Sequence, residues 1–234
     1  MPELAAPGAT LTLDAATAHH VVRVCRARPG DHVTLTDGRG RVTRAERESS
    51  GSGVVLRIGE VAEVARPAAR ILIVGAPEGE RADWLVEKAV ELGITALWPA
   101  DTERAAWRRG GAGRERWHRL ARAALGQSRR AWLADLVPAE PLDAALTRLP
   151  AEAGRWLADP DGAPLASIRI EGARPQVALV GPAAGFSTAE KERIASQGFR
   201  AIRLSGGRLR VETAALAAAA WWAATESGPP PVAS

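Results

Sequence analysis

Three glycine-containing segments, each placed just after a short apolar run, are the residues in this chain best suited to chemistry. Val180-Gly181-Pro182-Ala183-Ala184-Gly185-Phe186-Ser187 leads into a helix for which Ser187 is the expected N-cap, with Glu190 three residues on as its capping-box partner. Leu204-Ser205-Gly206-Gly207-Arg208-Leu209-Arg210-Val211-Glu212-Thr213-Ala214 leads into another, with Thr213 the expected cap. Trp156-Leu157-Ala158-Asp159-Pro160 ends a third run. In parallel α/β sheets, ligands bind at the carboxyl ends of the strands, so three such turns side by side would form a cradle that grips a ligand largely through main-chain groups. Each turn taken alone reads better as an ordinary strand-to-helix connection. Other catalytic sets are missing from the sequence. It has no Gly-Lys-Ser/Thr phosphate loop, no Gly-x-Gly-x-x-Gly after the first strand of its second half, and no Gly-x-Ser-x-Gly elbow. Its four histidines (19, 20, 32 and 118) lack metal-ligand spacing, and His19 and His20 read as packing or surface residues, so no metal is expected.

A second feature is electrostatic. The chain carries a net charge of +4. Between Arg104 and Arg130 there are nine arginines (104, 108, 109, 114, 116, 119, 122, 129 and 130) against the single acid Glu115, so the rest of the chain is net acidic. Cationic charge concentrated on one segment suits a phosphate backbone, although the same run reads as a solvated helix face. Arginine content as such says little, because lysine occurs only as Lys88 and Lys191 and tyrosine is absent, a bias typical of a GC-rich genome.

These residues must be positioned by a folded scaffold. With 46% hydrophobic and 25% charged residues, the 234-residue chain has a globular composition and room for one large or two modest domains. The first ~67 residues read as β-rich after a short helix near His19–Arg26. His32–Thr36, Arg41–Thr43 and Val54–Ile58 are its strands, with turns at Asp37–Gly40 and Ser49–Gly53. Arg66-Pro67 is the expected boundary. Beyond it, apolar runs at 71–74, 96–99, 156–158, 177–180 and 201–204 alternate with helical patterns at 81–92, 114–125, after Ser187 and after Thr213, which predicts a parallel sheet covered on both faces. The tail 227–234, with Gly228-Pro229-Pro230-Pro231, is expected to be disordered. A lone Cys25, no signal-peptide pattern, and an apolar run (Ala214–Ala224) far short of the ~20 residues a membrane helix needs give the expectation of a cytoplasmic protein without membrane contact.

Taken together and in order, the motifs resemble one family. Gly181-Pro182-x-x-Gly185-Phe186-Ser187, then Leu204, then Leu209-Arg210-x-Glu212-Thr213-Ala214, is similar to the C-terminal signature of bacterial 16S rRNA (uracil-N3) methyltransferases, the RsmE family of the SPOUT superfamily. Upstream, Glu87-Lys88-Ala89-x-Glu91-Leu92-Gly93, Thr102-Glu103-Arg104, Arg116-Trp117 through Ala123-Ala124, and Gln127-Ser128-x-Arg130 resemble that family's first helix, its following loop and its arginine-bearing helix. His19-His20-x-x-Arg23-Val24-x-Arg26 with Gly30-Asp31 resembles its N-terminal RNA-binding domain. The likeness covers nearly the whole chain.

The resemblance implies an α/β protein in which a PUA-like β-barrel (1–67) precedes a SPOUT domain (68–234) with a parallel sheet and a C-terminal trefoil knot. It implies S-adenosylmethionine as cofactor, held in the loops at Leu157, Ala158, Val180, Gly181, Pro182, Gly185, Leu204, Ser205, Gly206, Leu209, Arg210, Thr213 and Ala214. It further implies a homodimer, and 16S rRNA or the assembling small subunit as substrate. Arg23, Arg26, Arg104, Arg129 and Arg130 would meet RNA, and Arg130 and Glu212 are the candidate catalytic residues. The chain departs from the family at Ala183 and Ala184, where Glu and Gly are usual, and at Ser205–Gly207, which leaves Arg208 one place later than the family's arginine. Alternatives are a non-catalytic RNA-binding relative on the same fold, or a methyltransferase acting on another RNA base.

Overall fold

The computed structural model describes residues 4–24, 26–50, 53–107, 111–170 and 173–225. Cys25, Arg108, Arg109 and the tail from 226 onward, including the segment expected to be disordered, lie outside these residues. The described residues separate into two compact units, one running to Arg66 and including Arg129–Trp132, the other Pro67–Ser128 together with the residues from Leu133 onward.

In the first unit, β1 (Thr10–Thr12), β2 (His32–Thr36), β3 (Arg41–Arg47) and β4 (Val55–Glu63) form an antiparallel sheet in the order β1-β4-β3-β2. The short helix expected near His19–Arg26 is α1 (Ala15–His19), continued by a π-helical turn at His20–Val24. Leu13, Val21, Ala27, Ala45, Val54, Leu56 and Ile58 make the core. Burial alternates along β4, which is the period-2 pattern of a strand with one covered face. At the turn between β2 and β3, the Asp37 carboxylate accepts from the N–H groups of Arg39 and Arg41. Residues 129–132 belong to this unit although they are far away in sequence. The Gly40 N–H and the Thr36 hydroxyl both donate to the Ala131 carbonyl, at 3.0 and 3.2 Å. Trp132 Nε1 donates to Val64 O at 2.9 Å, and the Arg66 guanidinium lies over its ring. A β-carbon at Gly40 would lie 2.6 Å from Cε2 of that indole and closer still to Cζ2, and Gly40 also has φ +97°, so this position demands glycine.

The second unit contains β5 (Arg70–Gly75), α2 (Ala82–Glu91), β6 (Ala96–Asp101), α3 (Gly111–Ser128), β7 (Asp135–Leu136), β8 (Glu140–Pro141), α4 (Leu142–Thr147), β9 (Gly154–Pro164), β10 (Gln176–Val180), α5 (Thr188–Ser196), β11 (Arg200–Arg203) and α6 (Val211–Ala223). Its sheet runs β11-β9-β10-β5-β6-β7, with β8 also on β6, and the pairs are parallel. The central strands are buried on both sides, and their residues alternate between two cores. Leu72, Val74, Ala178 and Val180 pack with residues of α2, α3 and α6. Ile71, Ile73, Val177 and Leu179 pack with Leu142, Ala145, Leu146 and Ile194 from α4 and α5. This two-sided burial is why these strands read as unbroken apolar runs.

Two elements differ from the sequence-based expectation, and four small ones had no signal in it. The helix expected after Thr213 begins at Val211 with Arg210 in the cap position, so Thr213 lies within its first turn and is exposed. β9 does not end at Ala158 but continues to Pro164. Against β11 its register jumps from Leu157 opposite Ala201 to Ala163 opposite Ile202, so residues 158–162 bulge out of the sheet. The small elements β1, β7, β8 and α4 have too few residues to show a period. Ser187, by contrast, caps α5 as expected. Its hydroxyl accepts the Glu190 N–H at 3.1 Å while the Glu190 carboxylate accepts the Ser187 N–H at 2.8 Å.

Candidate cofactor site

The carboxyl ends of β9, β10 and β11 lie side by side at one edge of the second unit's sheet, and the segments that leave them wall a single cleft of about 1110 Å3. From the bulge after β9 come Leu157, Ala158, Asp159 and Asp161. The turn after β10 supplies Val180, Gly181, Pro182, Ala183, Ala184 and Gly185. The loop from β11 into α6 supplies Leu204, Ser205, Gly206, Leu209, Arg210 and Ala214. Of the thirteen residues expected to hold a cofactor, all but Thr213 line this cleft; Thr213 lies at the exposed start of α6.

Close backbone approaches hold the walls together. A β-carbon on Gly75, the last residue of β5, would lie 2.6 Å from Pro182 N, so the turn after β10 closes over β5 only because residue 75 is glycine. A β-carbon on Gly181 would meet the Phe186 ring at 2.8 Å, and Phe186 is buried beneath the turn. At Gly162, where the bulge rejoins the sheet, a β-carbon would lie 2.6 Å from Ala201 C and 2.7 Å from Ile202 C.

The turn after β10 is a four-residue β-turn in which the Gly185 N–H donates to Pro182 O at 2.8 Å. Gly185 has φ +70°, whereas neither Ala183 nor Ala184 has a positive φ. Alanine at 184, a departure from the family pattern, is therefore compatible with the conformation adopted. Two guanidinium groups hold carbonyls of this turn. Arg104 Nη1 donates to Ala184 O at 2.8 Å, and Arg208 Nη2 donates to Ala183 O at 3.0 Å. Arg104, expected to meet RNA, thus has a donor committed to the turn.

The loop that carries Arg104 is itself fixed. The Glu103 N–H donates to Glu190 Oε1 at 2.8 Å, and Glu190 is buried. The Glu103 carboxylate accepts from Arg193, which also pairs with Asp143. A hydrogen bond from Ser187, reinforced by Arg193, holds the Glu103 carboxyl below its ordinary range. Trp107 closes the loop by donating from Nε1 to Val74 O at 2.9 Å.

Glu212 is the deeply buried charge of the cleft, only 1% exposed, and its Oε1 lies 3.0 Å from Arg81 Nη1. The angle of that contact falls outside hydrogen-bond geometry, so Oε1 is paired in charge but has no aligned donor. Arg81, also cleft-lining, is half exposed. No motif pointed to it beyond its position at the start of the helical pattern 81–92. Lys191, Arg203 and Asp161 were likewise missed, whereas Asp159 and Arg208 fall within segments that the sequence singled out but were given no role there. Arg129 and Arg130 belong to the first unit and are not among the cleft residues. Arg129 is exposed with φ +54° and Arg130 is half-buried. Arg23 and Arg26 are exposed on the first unit, Arg26 at φ +53°. Among the described residues, no cluster of His, Cys, Asp and Glu suits a metal ion.

Lined by small residues and main chain with one recessed carboxylate, the cleft suits a medium-sized ligand with both apolar and polar parts. The comparisons with known proteins agree on what kind of protein has this arrangement. Residues 65–223 match the RNA methyltransferase domain family, and residues 13–58 match the RNA methyltransferase PUA domain. The ribosomal RNA small subunit methyltransferase E of Mycobacterium tuberculosis is 32% identical over 232 residues, covering 90% of this chain and 85% of the relative. The protein of the same name from Bacillus subtilis is 26% identical, covering 88% of this chain and 87% of the relative. The crystal structure of a ribosomal RNA small subunit methyltransferase E from Neisseria gonorrhoeae, bound to S-adenosyl methionine, superposes with a TM-score of 0.82 at 30% identity, covering 94% of this chain and 93% of that one. The chain belongs to the ribosomal RNA small subunit methyltransferase E family.

Proposed function

We propose that this protein methylates N3 of a uridine in small-subunit ribosomal RNA, using S-adenosylmethionine. The observation that carries the reading is the convergence of three turns, distant in sequence, on one cleft at the strand carboxyl ends. A methyltransferase structure bound to S-adenosyl methionine, at a TM-score of 0.82, supports the same ligand here.

The residues present fit that group. Small side chains at Ala158, Gly181, Gly206 and Ala214 leave main-chain donors and acceptors accessible, and the recessed Glu212 Oε1 is an acceptor without an aligned partner. When bound, S-adenosylmethionine supplies an electrophilic methyl group on a sulfonium. The chain's own part is to hold the reactants and to keep water out. N3 lies on the Watson–Crick edge of uracil, so the target base must be unpaired before it enters. It must also lose its N3 proton to become an effective nucleophile, and cationic groups favour the resulting anion. Arg81, Lys191, Arg203 and Arg210 are cleft cations available for that purpose, whereas Arg208 is engaged with the Ala183 carbonyl, and the Glu212 carboxylate is the recessed acceptor of the cleft. Orientation supplies much of the remaining barrier reduction.

Arg23 and Arg26 on the first unit and Arg129 and Arg130 on its appended segment would contact the RNA. α6, apolar along most of its surface with Trp221 half-buried, would meet a second copy in a homodimer. The setting of such an enzyme is cytoplasmic ribosome assembly; among the described residues no helix is long and apolar enough to cross a membrane.

Mass spectrometry of small-subunit rRNA from a deletion strain tests the activity. N3-methyluridine disappears if the reading holds and returns on complementation with the wild-type gene. Unchanged N3-methyluridine with loss of another methylated base would move the activity to that base. No change in rRNA modification, together with no calorimetric heat from S-adenosylmethionine, would leave an RNA-docking protein.

A further inference from the structure

We propose that Arg208 and Arg104 are positioning residues that lock the Ala183–Ala184 peptide of the cofactor turn in one orientation, so that the turn meets its ligand preformed. The inference rests on the methyltransferase reading for its ligand, but not for its geometry.

In a β-turn spanning Pro182 to Gly185, the central peptide joins residues 183 and 184. Its two common orientations differ by a flip of about 180°, and the flipped form requires positive φ at the third residue. Residue 184 is alanine with no positive φ, so this chain occupies the unflipped form and its side chain opposes the alternative. Arg208 adds a tether, donating to the carbonyl of that same central peptide at 3.0 Å. In a planar trans peptide the C=O and the next N–H point in opposite directions. A guanidinium that holds the Ala183 carbonyl therefore also fixes where the Ala184 N–H points. Arg104 does the same one peptide later, holding the Ala184 carbonyl at 2.8 Å while the Gly185 N–H stays on Pro182 O.

The two tethers come from different parts of the second unit. Arg104 stands on the loop after β6, braced by Glu103 N–H on the buried Glu190 and by Trp107 on Val74 O. Arg208 stands on the loop after β11, which itself lines the cleft. The Arg208 bond thus ties two cofactor-lining loops to each other, main chain to side chain. The departures from the family pattern at 183, 184 and 208 become one device: Ala184 restricts the turn and Arg208 holds it.

The test uses the full-length chain. Calorimetry with S-adenosylmethionine on wild type, Arg208→Ala, Arg208→Lys, Arg104→Ala and Ala184→Gly/Arg208→Ala measures the ligand side. Each single loss of an arginine weakens binding about tenfold, the worth of one charge-assisted hydrogen bond. Arg208→Lys recovers part of that loss. The double variant loses more than Arg208→Ala alone, because glycine at 184 permits the flip. In turnover assays KM for the cofactor rises while kcat at saturation stays within about twofold, a split that general destabilisation does not produce. Hydrogen exchange of the 183–187 amides, measured without ligand, reads the lock directly and speeds up in both arginine variants. Arg208→Ala with wild-type exchange at these amides overturns the proposal whether or not the ligand binds. Wild-type protein that gives no heat with S-adenosylmethionine overturns the functional reading instead, and the exchange experiment still decides the lock.

Discussion

Gly162→Ala is a one-carbon change away from any proposed catalytic group, yet it should disable the cleft. Gly162 lies where the 158–162 bulge rejoins β9 beside β11, and an added β-carbon would stand 2.6 Å from Ala201 C, 2.7 Å from Ile202 C and closer still to Ile202 N. Ordinary contact begins near 3.4 Å, and the obstructing atoms are backbone, so the two strands must part by about 1 Å. Overpacking of this kind costs about 2 kcal/mol, which for a chain of this length lowers Tm by roughly 4–8 °C. The functional loss should be larger than the stability loss. The displaced strands carry two of the three cleft walls, Ala158–Asp161 and Leu204–Arg210, and a shift of about 1 Å can cost on the order of a hundredfold in rate. Differential scanning calorimetry and S-adenosylmethionine titration on the same preparation measure both effects. A Gly162→Ala protein with Tm within about 1 °C of wild type and unaltered affinity would refute the claim that this close approach shapes the site.

Other substitutions probe separate parts of the site. Arg81→Ala leaves the buried Glu212 carboxylate unpaired and should destabilise by about 1–3 kcal/mol in thermal melts, discounted toward the lower end because Arg81 is half exposed. Adding Glu212→Gln to that variant removes the stranded charge and should restore part of the loss; a double variant weaker than Arg81→Ala would contradict the pairing. Trp107→Phe strips the donor from the buried Val74 carbonyl at about 1–3 kcal/mol and should loosen the loop bearing Arg104, seen as faster amide exchange across 102–107. The carboxyl of Glu103 is lowered from its ordinary 4.5 by Ser187 and then Arg193, so its contribution is complete above that pH and declines as pH falls through the lowered value. The Tm gap between wild type and Glu103→Gln should therefore be present at pH 7 and shrink progressively below pH 4.5, and a gap that widens on acidification would contradict the assignment.

The places where structure departs from sequence-based expectation show which forces were local and which were not. Thr213 was expected as a cap because threonine is a good N-cap, yet α6 starts two residues earlier at Val211. Val211, Ala214, Ala215 and Ala218 pack into the core, and that packing sets the start of the helix rather than a side-chain cap. β9 was expected to end near Ala158 because Asp159-Pro160 reads as a break. β11 beside it instead lets the strand bulge and resume. Nothing in the order of residues 129–132 ties them to the first unit, which they join through Ala131 and Trp132.

What the sequence determined by itself were the features that depend on near neighbours in the chain. The two-sided burial of β5 and β10 is legible as apolar runs, the Ser187–Glu190 cap as a four-residue pattern, and the cofactor loops as glycines after strands. The tertiary structure alone decided which groups face one another across the cleft. Arg208 meets Ala183 and Arg104 meets Ala184 over separations of 25 and 80 residues, and Arg81 meets Glu212 from the start of a different helix. Those partnerships follow from the order of strands in the sheet, in which β9 lies between β10 and β11 and β10 lies against β5. That order is set by burying two apolar faces at once, a condition on the whole chain that no short stretch of residues encodes.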